Sequence, residues 1–448
     1  MSNHKIRNIT IIGAGLVGSL LAIFLAKQGY KVSVFERRPD MRREGEFGGR
    51  SINLALSNRG WWPLEQAGVA DEVREMIIPM KGRMMHDLNG ELTFQPYGNE
   101  GQFINSVSRA GLNMVLINNA DSQGVDFNFD HFCLDVDLGS TIVKLENKGQ
   151  VKNVSSDLII GADGAFSTVR LAMQMTDRFN YSQQYIDHGY KELTIPAGKN
   201  REFQLEKNAL HIWPRGNYML IALPNQDASF TCTLFFPFDG DPSFSSLKNT
   251  NQVEKFFNTT FPDAVSLLGS MPAEFFQNPT SSLVTVKCYP WVMDKVLIIG
   301  DAAHAIVPFY GQGMIAGFED CRILNGLIKE FDGNWDEILP AYQENRKPDG
   351  DAISSLALRN FIEMRDLVGD RNFILRKKIE ARLHQNYPDK WIPLYSMVTF
   401  NEKMRYSEAE RIGKIQEKIM DQVMMTSDIE KIWEKLDFGK IVEKLDNP

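Results

Sequence analysis

Three carboxylates in this sequence each close an apolar run. Glu36 follows Lys31-Val32-Ser33-Val34-Phe35, Asp163 follows Leu158-Ile159-Ile160-Gly161-Ala162, and Asp301 follows Val296-Leu297-Ile298-Ile299-Gly300. A carboxylate at the end of a buried strand lies on the edge where open α/β sheets take ligands, and it can accept hydrogen bonds from sugar hydroxyls. For any one of them alone, the alternative is an acid that merely caps the next helix. The first run carries a further signal. Asn8-Ile9-Thr10-Ile11-Ile12 leads into Gly13-Ala14-Gly15-Leu16-Val17-Gly18, a G-x-G-x-x-G. In such a turn the first glycine permits the tight bend and the second lets backbone approach a pyrophosphate. The third permits close helix–strand packing, and the helix N-terminus faces the phosphate charge. Glu36 stands 18 residues after Gly18, where an acid suits a ribose. The chemistry implied is the grip on a dinucleotide, without saying which one.

A second stretch, Gly300 to Asp320, reads GDAAHAIVPFYGQGMIAGFED. Gly311, Gly313 and Gly317 crowd the start of an expected helix, although each glycine costs about 1 kcal/mol in a helix interior. Backbone access to a ligand would offset that cost; a loop that simply turns the chain is the alternative. His304 invites assignment as a base or metal ligand. No second His or Cys stands at ligand spacing, so a structural role is the better reading, and no metal is expected.

These residues need a framework of strands and helices. Residues 8–12 and 31–35 read as buried parallel strands around a helix that runs through Lys27 and stops at Gly29. The uncharged run Ile9 to Ala26 could pass for a membrane span or a signal peptide, but the strand–glycine turn–helix reading accounts for its details. Alternating runs at Tyr218–Ala222 and Phe230–Phe235 suit antiparallel strands covered on one face. From about residue 340 the pattern is helical, as in Ile353–Leu358 continuing through Phe361–Met364. The chain has 448 residues, enough for two or three domains, with 49 basic against 57 acidic side chains. That balance argues against nucleic acid or an anionic membrane as the main partner. Cys133, Cys232, Cys288 and Cys321 are scattered without a C-x-x-C, which fits a reducing, cytoplasmic setting.

Taken together, GAGLVG (Gly13 to Gly18), GADGAFSTVR (Gly161 to Arg170) and GDAAHAIVPFYGQG (Gly300 to Gly313) resemble the FAD-dependent aromatic hydroxylases of the p-hydroxybenzoate hydroxylase fold. Within that group the chain is similar to the branch that hydroxylates kynurenine. That closer resemblance rests on GRSINLALSNRG (Gly49 to Gly60), PYG (Pro96 to Gly98), SVSRAGLN (Ser106 to Asn113) and YSQQYIDHGYKELTIP (Tyr181 to Pro196). It extends through LHIWPRGNYMLIALPN (Leu210 to Asn225), NFIEMR (Asn360 to Arg365) and IPLYSMVTF (Ile392 to Phe400).

The resemblance implies an α/β fold: a Rossmann-like FAD-binding domain, an inserted antiparallel β-sheet substrate domain and C-terminal helices. The FAD-binding part would comprise residues 1–75, 101–180 and 287–340. The substrate sheet would take 76–100 and 181–286, and the helical region 341–448. FAD would touch Gly13, Gly15, Val17, Gly18, Phe35, Glu36, Arg37, Arg38, Ala55, Arg109, Leu134, Thr168, Asp301, Pro308, Gly313, Met314 and Ile315. Arg83 and Tyr97 would hold the substrate's amino-acid carboxylate, since a planar guanidinium pairs both oxygens and a phenol adds one donor. Asn360 and Tyr395 would complete the polar pocket, with Phe309, Tyr310, Ile221 and Phe235 as walls. Read without the family, Arg83 is a surface charge and the apolar residues are ordinary core.

The implied reaction is hydroxylation of L-kynurenine to 3-hydroxykynurenine through a C4a-hydroperoxyflavin. Oxygen is the co-substrate and NADPH a transient reductant that docks without a Rossmann unit of its own. The flavin carries the chemistry, so no side chain is expected to be catalytic. One departure stands out: the family has Asn where this chain has Ile315, which removes a polar side-chain contact. Two other readings stay open, a related hydroxylase of another aromatic amino acid and an FAD-binding protein that no longer catalyses. Eukaryotic members carry a C-terminal membrane anchor, and none is expected here; a homodimer is one assembly open to the chain.

Overall fold

The computed structural model describes residues 6–43, 53–97, 101–363 and 370–445. Of the motifs above, Gly49 to Ile52, Gly98, Met364 and Arg365 lie outside the described residues.

The apolar β-branched runs form one six-stranded sheet. Its order is Val292–Met293, Val296–Ile298, Leu158–Gly161, Asn8–Ile12, Lys31–Phe35 and Asp126–Asn128, parallel except for the first pair. Its register explains why the three strand ends converge. Ile12 lies beside both Gly161 and Phe35, and Gly161 lies beside Ile298. The next residues of each strand therefore emerge along one edge.

The run that could have spanned a membrane becomes the strand Asn8–Ile12 and helix α1, Leu16–Lys27. α1 is buried on nearly every side, because it packs against α3 (Arg109–Ser122) and α5 (Gly313–Glu330) as well as the sheet. A helix apolar all round is a helix covered all round. No helix among the described residues is long and apolar enough to cross a membrane. Between α1 and α3 lies α2, Asn58–Ala67; after α3 comes α4, Thr168–Gln174.

A seven-stranded sheet adjoins this edge, where the Val286 N–H bonds the Ala305 carbonyl. Its order is Ser281–Tyr289, Asn180–Ile195, Phe230–Pro237, Met219–Pro224, Ala209–Pro214, Gly82–His86 and Leu92–Pro96. Alternation decides its two faces. Leu220, Ala222, Phe230, Cys232, Leu234 and Phe236 enter a core with Trp213 and Phe257. Met219, Ile221 and Phe235 point the other way. One pairing departs from the antiparallel expectation: Gly82–His86 runs parallel to Ala209–Pro214. Gly82–His86 comes from a distant part of the chain, so no hairpin turn dictates its direction. The strands Asn53–Leu56, Ile104–Ser108 and Ile77–Met80 form a small antiparallel sheet.

The remaining layer is helical: α6 (Trp335–Ile362), α7 (Arg371–Asn386), α8 (Leu394–Thr399) and α9 (Tyr406–Met424). α6 packs along α9, while Ile379, Leu383, Trp391, Ile419 and Met420 give the C-terminal helices a core of their own.

Candidate active site

The glycine turn at the sheet edge has the shape of a phosphate cradle. Gly13 adopts φ +104°, and a Cβ there would lie 2.5 Å from the Ala162 carbonyl oxygen. At Gly15 a Cβ would meet nothing within 4 Å, and no side chain caps α1 among the described residues. The N-terminus of α1 is thus left without a side-chain cap beside open space at Gly15, as an anion requires. Glu36 Oε2 accepts from Ala14 N–H at 2.9 Å, while Oε1 accepts from the Arg38 N–H at 3.0 Å and its Nε at 2.9 Å. The carboxylate is thereby oriented, with acceptor capacity left on Oε2.

Other predicted residues gather around it. The Asp130 and His131 N–H groups bond the Arg38 and Glu36 carbonyls, which brings the exposed Leu134 to this end; Arg37 is exposed beside them. Phe35 is buried, edge-on to His131. Two alternatives are also decided. Asp163 Oδ2 accepts from the N–H of Thr168 at 2.7 Å and of Val169 at 3.2 Å, so this strand-end acid caps α4. Burial raises the Asp163 pKa despite those bonds. Thr168 is half-buried, its N–H already used.

Asp301 behaves differently. Its side chain is accessible although protein surrounds it, so it faces a deep cleft; burial raises its pKa, while His304 and Arg109 oppose the shift. Arg109 stands at the start of α3, near enough for its charge to favour the Asp301 carboxylate. Val17 packs against Gly300, and the exposed Pro308 begins a short turn, Pro308–Tyr310, ahead of α5. Gly311 has φ +66°, and a Cβ there would come 3.2 Å from the Ala55 Cβ. Gly313 and Met314 remain partly accessible. Gly317 has another reason than ligand access: a Cβ would lie 2.5 Å from Val17 Cγ2, so it lets α5 close on α1. Ile315 has no exposed surface and its side chain lies near Gly60, so that side chain packs between α5 and α2. His304 is buried with Nε2 2.6 Å from Asp320 Oδ2, a structural pair as expected.

The predicted substrate residues come together beside this loop. The Arg83 guanidinium carbon lies 4.7 Å from the Tyr395 ring centre and 5.1 Å from that of Tyr97. Tyr395 stacks on Tyr97 at 5.9 Å and on Tyr310 at 5.6 Å. Phe309 lies 5.0 Å from Phe235, and Ile221 faces the same space. Asn360 donates from Nδ2 to the Phe309 carbonyl at 2.8 Å, so α6 fixes the loop that carries Phe309. Burial raises the pKa of Tyr97 and Tyr310 well above the ordinary phenol value, which keeps both hydroxyls protonated. Arg83 is enclosed yet partly accessible, and among the described residues no carboxylate pairs with it. The arrangement joins a dinucleotide grip to an aromatic cluster that encloses Arg83, a cation with no counterion among the described residues.

Comparison with known proteins decides the family. Residues 7–357 match the FAD binding domain family model. The chain is 51% identical over 445 residues to the kynurenine 3-monooxygenase of Christiangramia forsetii, covering 99% of this chain and 98% of that one. This chain belongs to the kynurenine 3-monooxygenase family. Members from Dictyostelium discoideum and Sus scrofa are 46% and 44% identical, over 95% and 93% of this chain and 95% and 88% of theirs. Among solved structures, 2-methyl-3-hydroxypyridine-5-carboxylic acid oxygenase superposes with a TM-score of 0.67 at 22% identity, covering 81% of this chain and 94% of that one. PqsL of P. aeruginosa, in complex with 2-aminobenzoylacetate, gives 0.64 at 19%, over 81% and 97%. These neighbours share the α/β fold expected from the motifs. A family member of this kind is a flavin-dependent aromatic monooxygenase, and FAD is its cofactor. The cradle at Gly13–Gly18, the oriented Glu36 and the accessible Asp301 fit that cofactor.

Two contributors had no functional reading in the sequence. Asn113 Nδ2 donates to the Ala14 carbonyl at 3.0 Å and braces the glycine turn; its place in SVSRAGLN was the available signal. Arg346, which meets Asp320 at 2.7 Å, had no signal at all, since the partners are 26 residues apart on different helices.

Proposed function

We propose that this protein hydroxylates L-kynurenine to 3-hydroxykynurenine, with oxygen as co-substrate and NADPH as reductant. One oxygen atom enters the ring and the other leaves as water, with NADPH and a proton supplying the balance. The observation that carries the reading is the unmatched Arg83 between Tyr97 and Tyr395, beside an aromatic wall that borders the loop before α5. A charge enclosed without a partner costs several kcal/mol, and two ring faces offset about 0.5–2 kcal/mol of it. A ligand carboxylate supplies what the protein omits.

Bound FAD supplies the redox chemistry. The chain's own residues do the rest. Gly15 would admit the pyrophosphate while Gly13 and Gly18 let the turn and α1 close on the strands, Glu36 and Asp301 would accept from sugar and ribityl hydroxyls, and Pro308 to Met314 would border the ring. Arg83 pairs the substrate carboxylate while Tyr97 and Tyr395 donate to it. Ile221, Phe235, Phe309 and Tyr310 hold the aniline ring and exclude water, which would otherwise divert electrons to peroxide. In this reading residues 1–75, 101–180 and 287–340 serve the cofactor, 76–100 and 181–286 the substrate, and 341–448 close the pocket.

The test follows NADPH consumption by the FAD-loaded protein with and without L-kynurenine, together with product mass and peroxide. Stimulated consumption with 3-hydroxykynurenine as product is the expected result. Stimulation by a different aromatic amino acid alone would move the substrate assignment, and FAD binding without any NADPH consumption would sink the enzymatic reading.

A further inference from the structure

Arg59 belongs to the GRSINLALSNRG stretch, yet nothing in the cofactor or substrate grip uses it. It is buried on α2, and its guanidinium reaches across to the C-terminal layer. Nε donates to the Val398 carbonyl at 2.7 Å and Nη2 to the Met397 carbonyl at 3.3 Å; Nη2 also donates to the Met404 carbonyl. Met397 and Val398 lie in the last turn of α8, where helix carbonyls lack intrahelical partners, so Arg59 caps the helix that carries Tyr395. The same guanidinium lies 4.3 Å from the ring centre of Tyr406, which is fully buried. Tyr406 Oη donates to Gln312 Oε1 at 2.8 Å, and Gln312 is the N-cap residue of α5, next to Gly313. Arg59 Nη1 also stands 3.6 Å from Glu319 of α5.

A continuous buried chain thus runs from the loop that borders the cofactor, through Gln312, Tyr406 and Arg59, to the helix of the substrate tyrosine. We propose that Arg59 and Tyr406 are positioning residues that fix Tyr395 relative to the N-terminus of α5, and thereby set where the substrate ring lies against the flavin. The inference rests on the functional reading above. Its physical basis is the shortness of α8 set against the length of α5, so that contacts reaching α8 from α2 and α9 help to fix it. α8 has only six residues, too short to hold its own geometry.

The test uses the FAD-loaded full chain with Tyr406→Phe, which removes one hydroxyl and keeps the ring, and with Arg59→Lys and Arg59→Met. Amide hydrogen exchange is read first, without substrate. In Tyr406→Phe we expect exchange about fivefold faster in both 312–316 and 394–399, the weight of one hydrogen bond. A change confined to α9 overturns the link. Turnover with L-kynurenine is read second. The expected result is a higher KM and a larger share of peroxide, with NADPH oxidation near the wild-type rate; an unchanged KM and peroxide share overturns the positioning role. Arg59→Lys should be milder than Arg59→Met in both readouts, and equal losses count against the clamp. If the wild type shows no stimulation by L-kynurenine, the functional reading fails, while the exchange data still judge the link between the two helices.

Discussion

Two arginines lie deep in this molecule, and they are provided for in opposite ways. Arg346 meets Asp320 at 2.7 Å, Asp349 at 3.0 Å and Glu319 at 3.5 Å, and donates to the Ala316 carbonyl at 3.3 Å. Among the described residues, Arg83 meets the faces and hydroxyl ends of Tyr97 and Tyr395 and no carboxylate. The first cation is satisfied wholly by the protein, and its cluster includes His304 from the stretch proposed to border the cofactor. The second has neutral partners but no counterion among the described residues. The contrast shows why proximity to a cofactor motif is a poor guide to chemistry. A buried charge with every partner in place is holding elements together, whereas a buried charge without a counterion marks the place of a ligand's charge.

The comparison breaks if the two sites fail to separate under mutation. Arg346→Met removes the cation shared by Asp320, Asp349 and Glu319 and leaves them to His304, Arg405, Arg59 and Arg322, so a loss of about 3 kcal/mol in unfolding free energy is expected. Denaturant unfolding of the FAD-loaded protein measures it, and a loss under about 1 kcal/mol would contradict the matched-cluster account. Arg83→Ala breaks no internal ion pair. Its stability should not fall, because removing an enclosed charge relieves a cost that the ring faces only partly offset, while binding of L-kynurenine weakens by about 1.5–3 kcal/mol, the range for hydrogen bonds to a charged group. Titration followed by the flavin spectrum reads that affinity. An Arg83→Ala protein that unfolds readily but binds substrate normally would reverse the assignment.

The parts of this architecture that sequence could show are those set by neighbours in the chain. Asn8–Ile12, Leu16–Lys27 and Lys31–Phe35 follow the expected bounds because apolar runs, glycines and the following acid are all local signals. Strand alternation at Met219–Pro224 and Phe230–Pro237 was legible for the same reason. What escaped depends on partners brought from far away. Gly317 is explained by Val17, 300 positions earlier, and not by a ligand. The burial of Ile315 follows from how α5 closes over α2. Asp163 and Asp301 look alike as strand ends, and only the fold shows one capping a helix and the other facing a cleft. The substrate residues were placed by resemblance; composition alone offered Arg83 no role beyond a surface charge.

The smallest expected effect sharpens the same comparison through pH. Burial disfavours the His304 cation, but the charge and hydrogen bond of Asp320 outweigh burial, so the His304 pKa is raised above its ordinary value. A group with a raised folded pKa contributes stability fully below its unfolded pKa of about 6.5, and loses it as pH rises through the folded value. Asp320 is also buried, yet His304 and Arg346 outweigh burial and lower its pKa, so it stays charged throughout this window. Stability of the wild type should therefore decline as pH rises above about 6.5, and His304→Gln should flatten that decline. The pocket of Arg83 should not share the effect, because burial holds the Tyr97 phenol far above the same window. Unfolding curves at stepped pH provide the check. A wild-type profile already flat there would mean that His304 is neutral beside Asp320, leaving Arg346 as the sole cation that matches the acid.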